Sequence, residues 1–451
     1  MQGKPNPTRA RVLLVATAAS CLAAMVAVLA AESQAIVRKP SVAVHSGPDF
    51  GGPTVATLNQ NTPVRISGQQ GLWFQVALPN GTGFVRVNDV RMAYAGKDDS
   101  DANARALFTG KAGKGRVTET AGVRGLDESD LKSAGFDAAQ MATLESYRLP
   151  AAAAADEARR AGLSETAIPY AAEARPAAAA PGGASQAQKR GGLSLARGLL
   201  SQLGIGSVGS SALDVADKAV GKSEAEQTDE ELALGPEIAG RILGAAPLLK
   251  DDAAQRRVNR IGRWMASHSS RPDLPWTFGV IDTPEVNAFA APGGYVLLTR
   301  GMYELLANDG EVAGVLGHEI SHVVQRDHYN VIHKQEMTAA TEDAVAGQVN
   351  VGGGLAGSRA KDYVRRHGAT VMLTSLDREA EFRSDEASEI YLARSGYNPL
   401  SLYAVLQKMT AMGNASARLA QLYKTHPPLA DRLDRIDRRG FAGLQPYTQR
   451  D

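Results

Sequence analysis

The chain has 451 residues, enough for two or three domains with a sizeable core. Its 49 Lys and Arg nearly balance 48 Asp and Glu, which excludes a global field directed at nucleic acid or anionic membrane. A single cysteine, Cys21, excludes a disulfide framework.

The N-terminus reads as an export signal. Lys4, Arg9 and Arg11 precede an uninterrupted apolar run from Val12 to Ala31, and small residues around Ser33 and Ala35 suit a signal peptidase, which puts the leader at residues 1–35. The run is also long enough to span a bilayer, so an uncleaved inner-membrane anchor is the competing reading. Its alanine content weakens it as a permanent span and favours cleavage. Later runs fall short of spanning length, so the rest is expected to be a soluble protein of the periplasm or cell envelope.

Residues 36–95 read as a small all-β domain. "LWFQVAL" and "GFVRVNDV" are β-rich runs flanking "PNGTG", whose Asn-Gly marks a hairpin turn. The stretch resembles a bacterial SH3-like domain in Val44 to Pro48, Trp73 and Gly83 to Val85; Phe84 stands where such domains often carry a second Trp. The resemblance implies a binding module for a cell-wall peptide or a protein segment.

Residues 96–224 read as connection. "GLDESDLKSAGFDAAQMATLESYR" has a cap at Asp127 and helical apolar spacing at Leu131, Met141 and Leu144. "PAAAAADEARRAG" and "EARPAAAAPGGASQAQ" are Ala/Pro/Gly-rich and predict a flexible tether. Helical spacing resumes near Glu224 and opens a second folded unit over 225–440, with a tail at 441–451.

The chemistry concentrates in this second unit. In "GVLGHEISHVVQRD" His318 and His322 stand at i and i+4, on one helix face, so both rings can address one metal ion. Glu319 sits one residue round, beside the water that such a metal would activate, where a carboxylate can take a proton. Downstream, "LDREAEFRSDEASEIYLARSG" places Glu381 and Asp385 at i and i+4. One carboxylate can complete a His₂Glu site, and the other can accept a hydrogen bond from a ligand histidine. Glu379, Glu386 and Glu389 read as a solvated helix face, and His45, His268, His328, His333 and His367 as ordinary residues.

Two further stretches fit around this centre. "NAFAAPGGYVLLTRGM" reads as a glycine-bearing turn into an apolar strand. Asn287, Gly293, Gly294, Tyr295 and Val296 would hold an extended substrate by main-chain pairing, although a core strand explains the same residues. "THPPLADRLDRID" sets His426 before two prolines that begin a helix, with Arg432 on it.

Together the four motifs resemble the HtpX-like zinc metallopeptidases, which include the CAAX prenyl endoproteases and soluble periplasmic quality-control proteases. The motifs are Asn287 to Gly294, His318 to His322, Glu381 to Asp385, and Thr425 to Arg432. The resemblance implies a mainly helical α+β zincin-type domain, one zinc ion per chain and Glu381 as its third ligand. It further implies Glu319 as general base, and His426 near the metal as oxyanion partner or resting-state plug. Ser384 replaces an alanine common in relatives. The segment between His322 and Glu381 is too polar and glycine-broken to span a bilayer, unlike HtpX itself.

The function expected from these residues is a zinc endopeptidase cleaving unfolded or misassembled envelope proteins, with no nucleic-acid partner. Asp385 would orient a ligand, and His426 or Arg432 would stabilise the oxyanion. The alternatives are a peptidoglycan cross-link hydrolase and a chaperone-like binding protein with a latent metal site.

Overall fold

A computed structural model describes residues 33–93, 126, 128–173, 223–335, 364, 369–413, 416–441 and 443–450. Most of the leader expected at residues 1–35 lies outside these residues, as do the Asp127 cap and nearly all of "EARPAAAAPGGASQAQ". Ser33 to Ala35, assigned to the leader, instead begin the first strand. Among the described residues no helix is long and apolar enough to cross a membrane.

The N-terminal unit is a seven-stranded antiparallel sheet. Its strands are β1 (Ser33–Val37), β2 (Ser41–His45), β3 (Thr54–Asn59), β4 (Pro63–Gln70), β5 (Trp73–Leu78), β6 (Gly81–Arg86) and β7 (Val90–Met92), in the order β3-β2-β6-β5-β4-β1-β7. Alternation along β2 and β4 sends Val42, Val44, Val64 and Ile66 into the core and the residues between them outward. Around Asn80 the chain turns tightly, so that Leu78 pairs with Gly81.

The region expected to be a tether is built into the second unit as far as Glu173. Helices α1 (Glu128–Ser133) and α2 (Ala138–Ser146) stand where one continuous helix would fit the apolar spacing, with Asp137 capping the second. Leu131, Met141 and Leu144 are buried against α4 (Glu224–Ala245). The Ala-rich run forms α3 (Ala151–Arg160), where Ala154 and Ala158 pack beneath Trp264. Alanine is the best helix former and its small side chain allows close approach, so low complexity here encodes a packed helix. Residues beyond α3 reach the end of α8 (Arg378–Arg394), where Glu173 pairs with Arg394 at 2.7 Å.

At the centre of the second unit lies helix α7 (Asp309–Val324), buried at every position from Glu311 to Val323. It packs against α5 (Asp252–Ala266), α8 and α9 (Leu400–Ala411). Two glycines permit this. A Cβ at Gly314 would stand 2.9 Å from Leu402 N, and one at Gly317 would stand 2.9 Å from Ser388 Oγ. A small sheet of β8 (Thr277–Ile281), β9 (Ala288–Ala291) and β10 (Tyr295–Thr299), ordered β8-β10-β9, packs against α7 through β9 and β10, and β10 leads into the short helix α6 (Arg300–Leu305).

The two units share one hydrophobic core. Gln407, fully buried on α9, donates to the carbonyls of Val87 and Val90 and accepts from Met92 N at 3.1 Å. Arg38 and Arg91 of the β unit pair with Asp434 and Asp437 on α10 (Leu429–Arg439). The β unit therefore seats on the helix that begins just after His426.

Candidate metal centre

One helical turn separates His318 from His322, and their Nε2 atoms lie 3.2 Å apart. Each ring meets a carboxylate at its other nitrogen. Asp385 Oδ1 is 3.0 Å from His318 Nδ1, and Asp327 Oδ2 is 2.9 Å from His322 Nδ1. With their protons on the two Nδ1 atoms, the rings would turn two Nε2 lone pairs toward one another. Glu381 on α8 enters the same space, with Oε2 3.5 Å from His318 Nε2 and Oε1 3.7 Å from His322 Nε2. His426 Nε2 stands 3.7 Å from Glu381 Oε2.

The donor atoms of His318, His322, Glu381 and His426 all lie within 4.8 Å of one another. Glu381 Oε2 is buried and has no hydrogen-bond partner. Opposed ring nitrogens and an unpartnered carboxylate oxygen in a buried site could hold a cation, and imidazole with carboxylate suits a divalent first-row metal.

The electrostatics point the same way. Burial and the Arg432 charge oppose protonation of His318, yet Asp385 and Glu381 outweigh them and lift it to about 9. Burial would raise Glu381, but the three surrounding histidines, His426 foremost, hold it well below the usual carboxylate range. The site thus attracts positive charge. Glu319 differs: burial pushes its carboxyl up, against the opposing pull of His318 and His322. Burial drives His426 down to about 3, against the upward pull of the Glu381 carboxylate.

Asn287, Ala288–Ala291 and the turn beyond them sit differently from expectation. Tyr295 and Val296 belong to β10, whose backbone pairs with β8 on one side and β9 on the other. No edge of that strand is open to a substrate, and Gly293 and Gly294 form the left-handed turn between β9 and β10. The edge strands are β8 and β9, and Ala288, Phe289 and Ala290 of β9 line the cavity beside Glu319, His322, Glu381 and His426. Asn287 precedes β9 and is buried.

Arg432 also departs from its expected place. It is buried, with Nε donating to Asp385 Oδ2 at 2.9 Å and Nη2 donating to Asp385 Oδ1 at 2.5 Å. A guanidinium paired with both oxygens of one carboxylate holds that carboxylate against His318. Glu389, read as solvated, is fully buried against Arg439. Glu379 and Glu386 do lie toward the surface, near Arg435 and Arg439.

The sequence reading passed over Asp327 and set His328 aside as ordinary. Asp327 stands five positions after His322, off its face on a continuous helix. His328 lines the cavity with its ring 6.1 Å from that of His322, and burial pushes it down to about 4. The only signal for either was their closeness in sequence to the motif.

Comparison with known proteins places these features. Residues 252–440 match the model of peptidase family M48, and residues 40–90 match that of the bacterial SH3 domain. The chain is 28% identical over 217 residues to the beta-barrel assembly-enhancing protease of Escherichia coli (strain K12), covering 45% of this chain and 42% of that protein. It is 27% identical over 180 residues to the mitochondrial metalloendopeptidase OMA1 of Arabidopsis thaliana, covering 40% of this chain and 35% of that protein. To the metalloprotease YcaL of Escherichia coli (strain K12) it is 26% identical over 188 residues, covering 42% of this chain and 70% of that protein. The chain thus spans less than half the length of the assembly-enhancing protease.

Proposed function

Because the chain carries a peptidase family M48 domain behind a bacterial SH3 domain, we propose that it is a zinc-dependent endopeptidase of the cell envelope that cleaves unfolded or misassembled proteins. The observation that carries this reading is the convergence of the His318, His322 and Glu381 donor atoms with Glu319 at their side. When bound there, zinc supplies Lewis acidity toward a water and toward the scissile carbonyl.

The chain's own residues do the rest. Glu319 takes the proton of the attacking water and returns it to the leaving amine; its raised affinity for a proton suits both halves of that task. Asp385, gripped by Arg432, keeps His318 in the tautomer whose Nε2 faces the metal. Edge strand β9, which lines the cavity, takes over the substrate-pairing role expected of Gly293 to Val296, so recognition runs through main chain and selectivity is broad. Export to the envelope agrees with the basic and apolar N-terminus and with the printed name of the assembly-enhancing relative.

His426 supports a second, latent state. Its ring adds a fourth donor to the cluster and would close the coordination position that catalysis needs open.

The test is cleavage of unfolded casein, native casein-sized folded proteins and purified sacculi by the zinc-loaded chain. Cleavage confined to unfolded protein is expected. Degradation of sacculi with casein spared would move the activity to the cell wall. Silence from the wild type, with cleavage by His426→Ala, would mean that His426 holds the resting enzyme closed.

A further inference from the structure

Helix α7 ends at Val324, and the chain then passes through Arg326 with φ of 60°. A left-handed conformation is unfavourable for a non-glycine residue, so the surrounding structure must hold it. Arg326 Nε donates to Glu231 Oε2 at 2.8 Å, and Nη2 donates to Thr228 Oγ1 at 2.9 Å. Glu231 is fully buried on α4, and Arg271 also holds it, Nη2 donating to the same Oε2 at 2.6 Å and Nη1 to Oε1 at 3.0 Å. The anchor is therefore fixed before the turn reaches it.

The turn has a definite result. Had the helix continued, residue 327 would lie about 140° round the axis from His322. Instead Asp327 folds back, and its Oδ2 comes within 2.9 Å of His322 Nδ1. Ser384 Oγ lies 3.2 Å from the same nitrogen, and Arg383 Nη2 stands 3.8 Å from Asp327 Oδ1. Asp327 itself is buried.

We propose that Asp327 and Arg326 are positioning residues for the metal, built into this chain by the left-handed turn after helix α7. Asp327 holds the proton on His322 Nδ1, so the Nε2 lone pair is presented to the metal. Arg326 acts one step further out: its grip on Glu231 keeps the turn in the conformation that delivers Asp327. Each histidine of the pair then has its own carboxylate, Asp385 for His318 and Asp327 for His322, and each carboxylate depends on a guanidinium. This inference rests on the metal reading above and assigns the turn a role within it.

The test is the zinc dissociation constant, measured by competition with a chromogenic chelator, beside thermal unfolding of the metal-free chain. Asp327→Ala should weaken zinc binding roughly 10–100-fold while the metal-free Tm stays close to that of the wild type. Asp327→Asn preserves shape and removes the charge, so it should weaken binding by a smaller factor and decides the matter if Asp327→Ala does not fold. Arg326→Ala leaves every donor in place and should still weaken binding. Unchanged affinity in Asp327→Asn and Arg326→Ala, with the wild type binding tightly, would overturn the role of the turn alone. A metal-free Tm loss large enough to account for the weaker binding would also overturn it, by making the turn merely structural. A wild type that takes up no zinc would overturn the metal reading and this inference together.

Discussion

Glu319→Gln should lower turnover of unfolded casein by roughly 10²–10⁴-fold, the usual contribution of a general acid–base group, while zinc stays bound. The metal is expected to remain because the donor cluster is His318, His322, Glu381 and His426, and Glu319 is outside it. The same substitution should stabilise the fold. Burial raises the Glu319 carboxyl, which means that the charged form is disfavoured in the folded state relative to the unfolded one. For a carboxyl raised in this way the penalty is absent below its ordinary value of 4.5 and grows as pH rises toward the folded value. In the metal-free chain the Tm gain of Glu319→Gln should therefore be present at pH 7 and fade as pH falls toward 4.5. A residue retained at a cost to stability and lost at a cost to turnover is what a catalytic group looks like. Equal turnover in both proteins would remove Glu319 from the mechanism.

The second large effect concerns the Arg432–Asp385 pair. Both side chains are 3% exposed, so removing one strands a charge in the interior. Arg432→Met should destabilise the chain by about 3–5 kcal/mol, read by chemical unfolding. Adding Asp385→Leu should recover much of that loss, because an apolar pair can replace a buried ion pair at little cost. Zinc affinity should move the other way. The double variant leaves His318 Nδ1 without its carboxylate and should bind zinc roughly 10–100-fold more weakly than the wild type. Stability restored with affinity lost would separate the pair's contribution to the fold from its contribution to the site. Full recovery of both would show that Asp385 does nothing for His318.

What was legible in the sequence was local. His318, Glu319 and His322 lie within one helical turn, and the apolar residues around them declare a buried helix, so their spacing translates directly into geometry. Glu381 and Asp385 have the same spacing on α8, and sequence alone could pair that turn with α7 only through a resemblance. The β unit was readable from alternation and turn residues. What failed depended on topology or on backbone hand. The glycine turn and apolar strand were visible, but nothing in Tyr295 to Thr299 says that β10 takes the centre of the sheet and leaves the edges to β8 and β9. Asp327 reaches His322 only because Arg326 adopts a conformation that its side chain type does not advertise. Ala151 to Arg160 reads as filler until Trp264 is seen to cover it. Glu389 reads as solvent-facing until Arg439 arrives from α10.

The most direct test of the central claim is a chelation cycle on one preparation, following cleavage of unfolded casein. The zinc-loaded chain should cleave; the chain stripped of metal should not; one equivalent of zinc should restore the rate, and should fail to do so in Glu381→Ala. Cleavage that survives complete removal of metal, or restoration in Glu381→Ala equal to that in the wild type, would contradict the account.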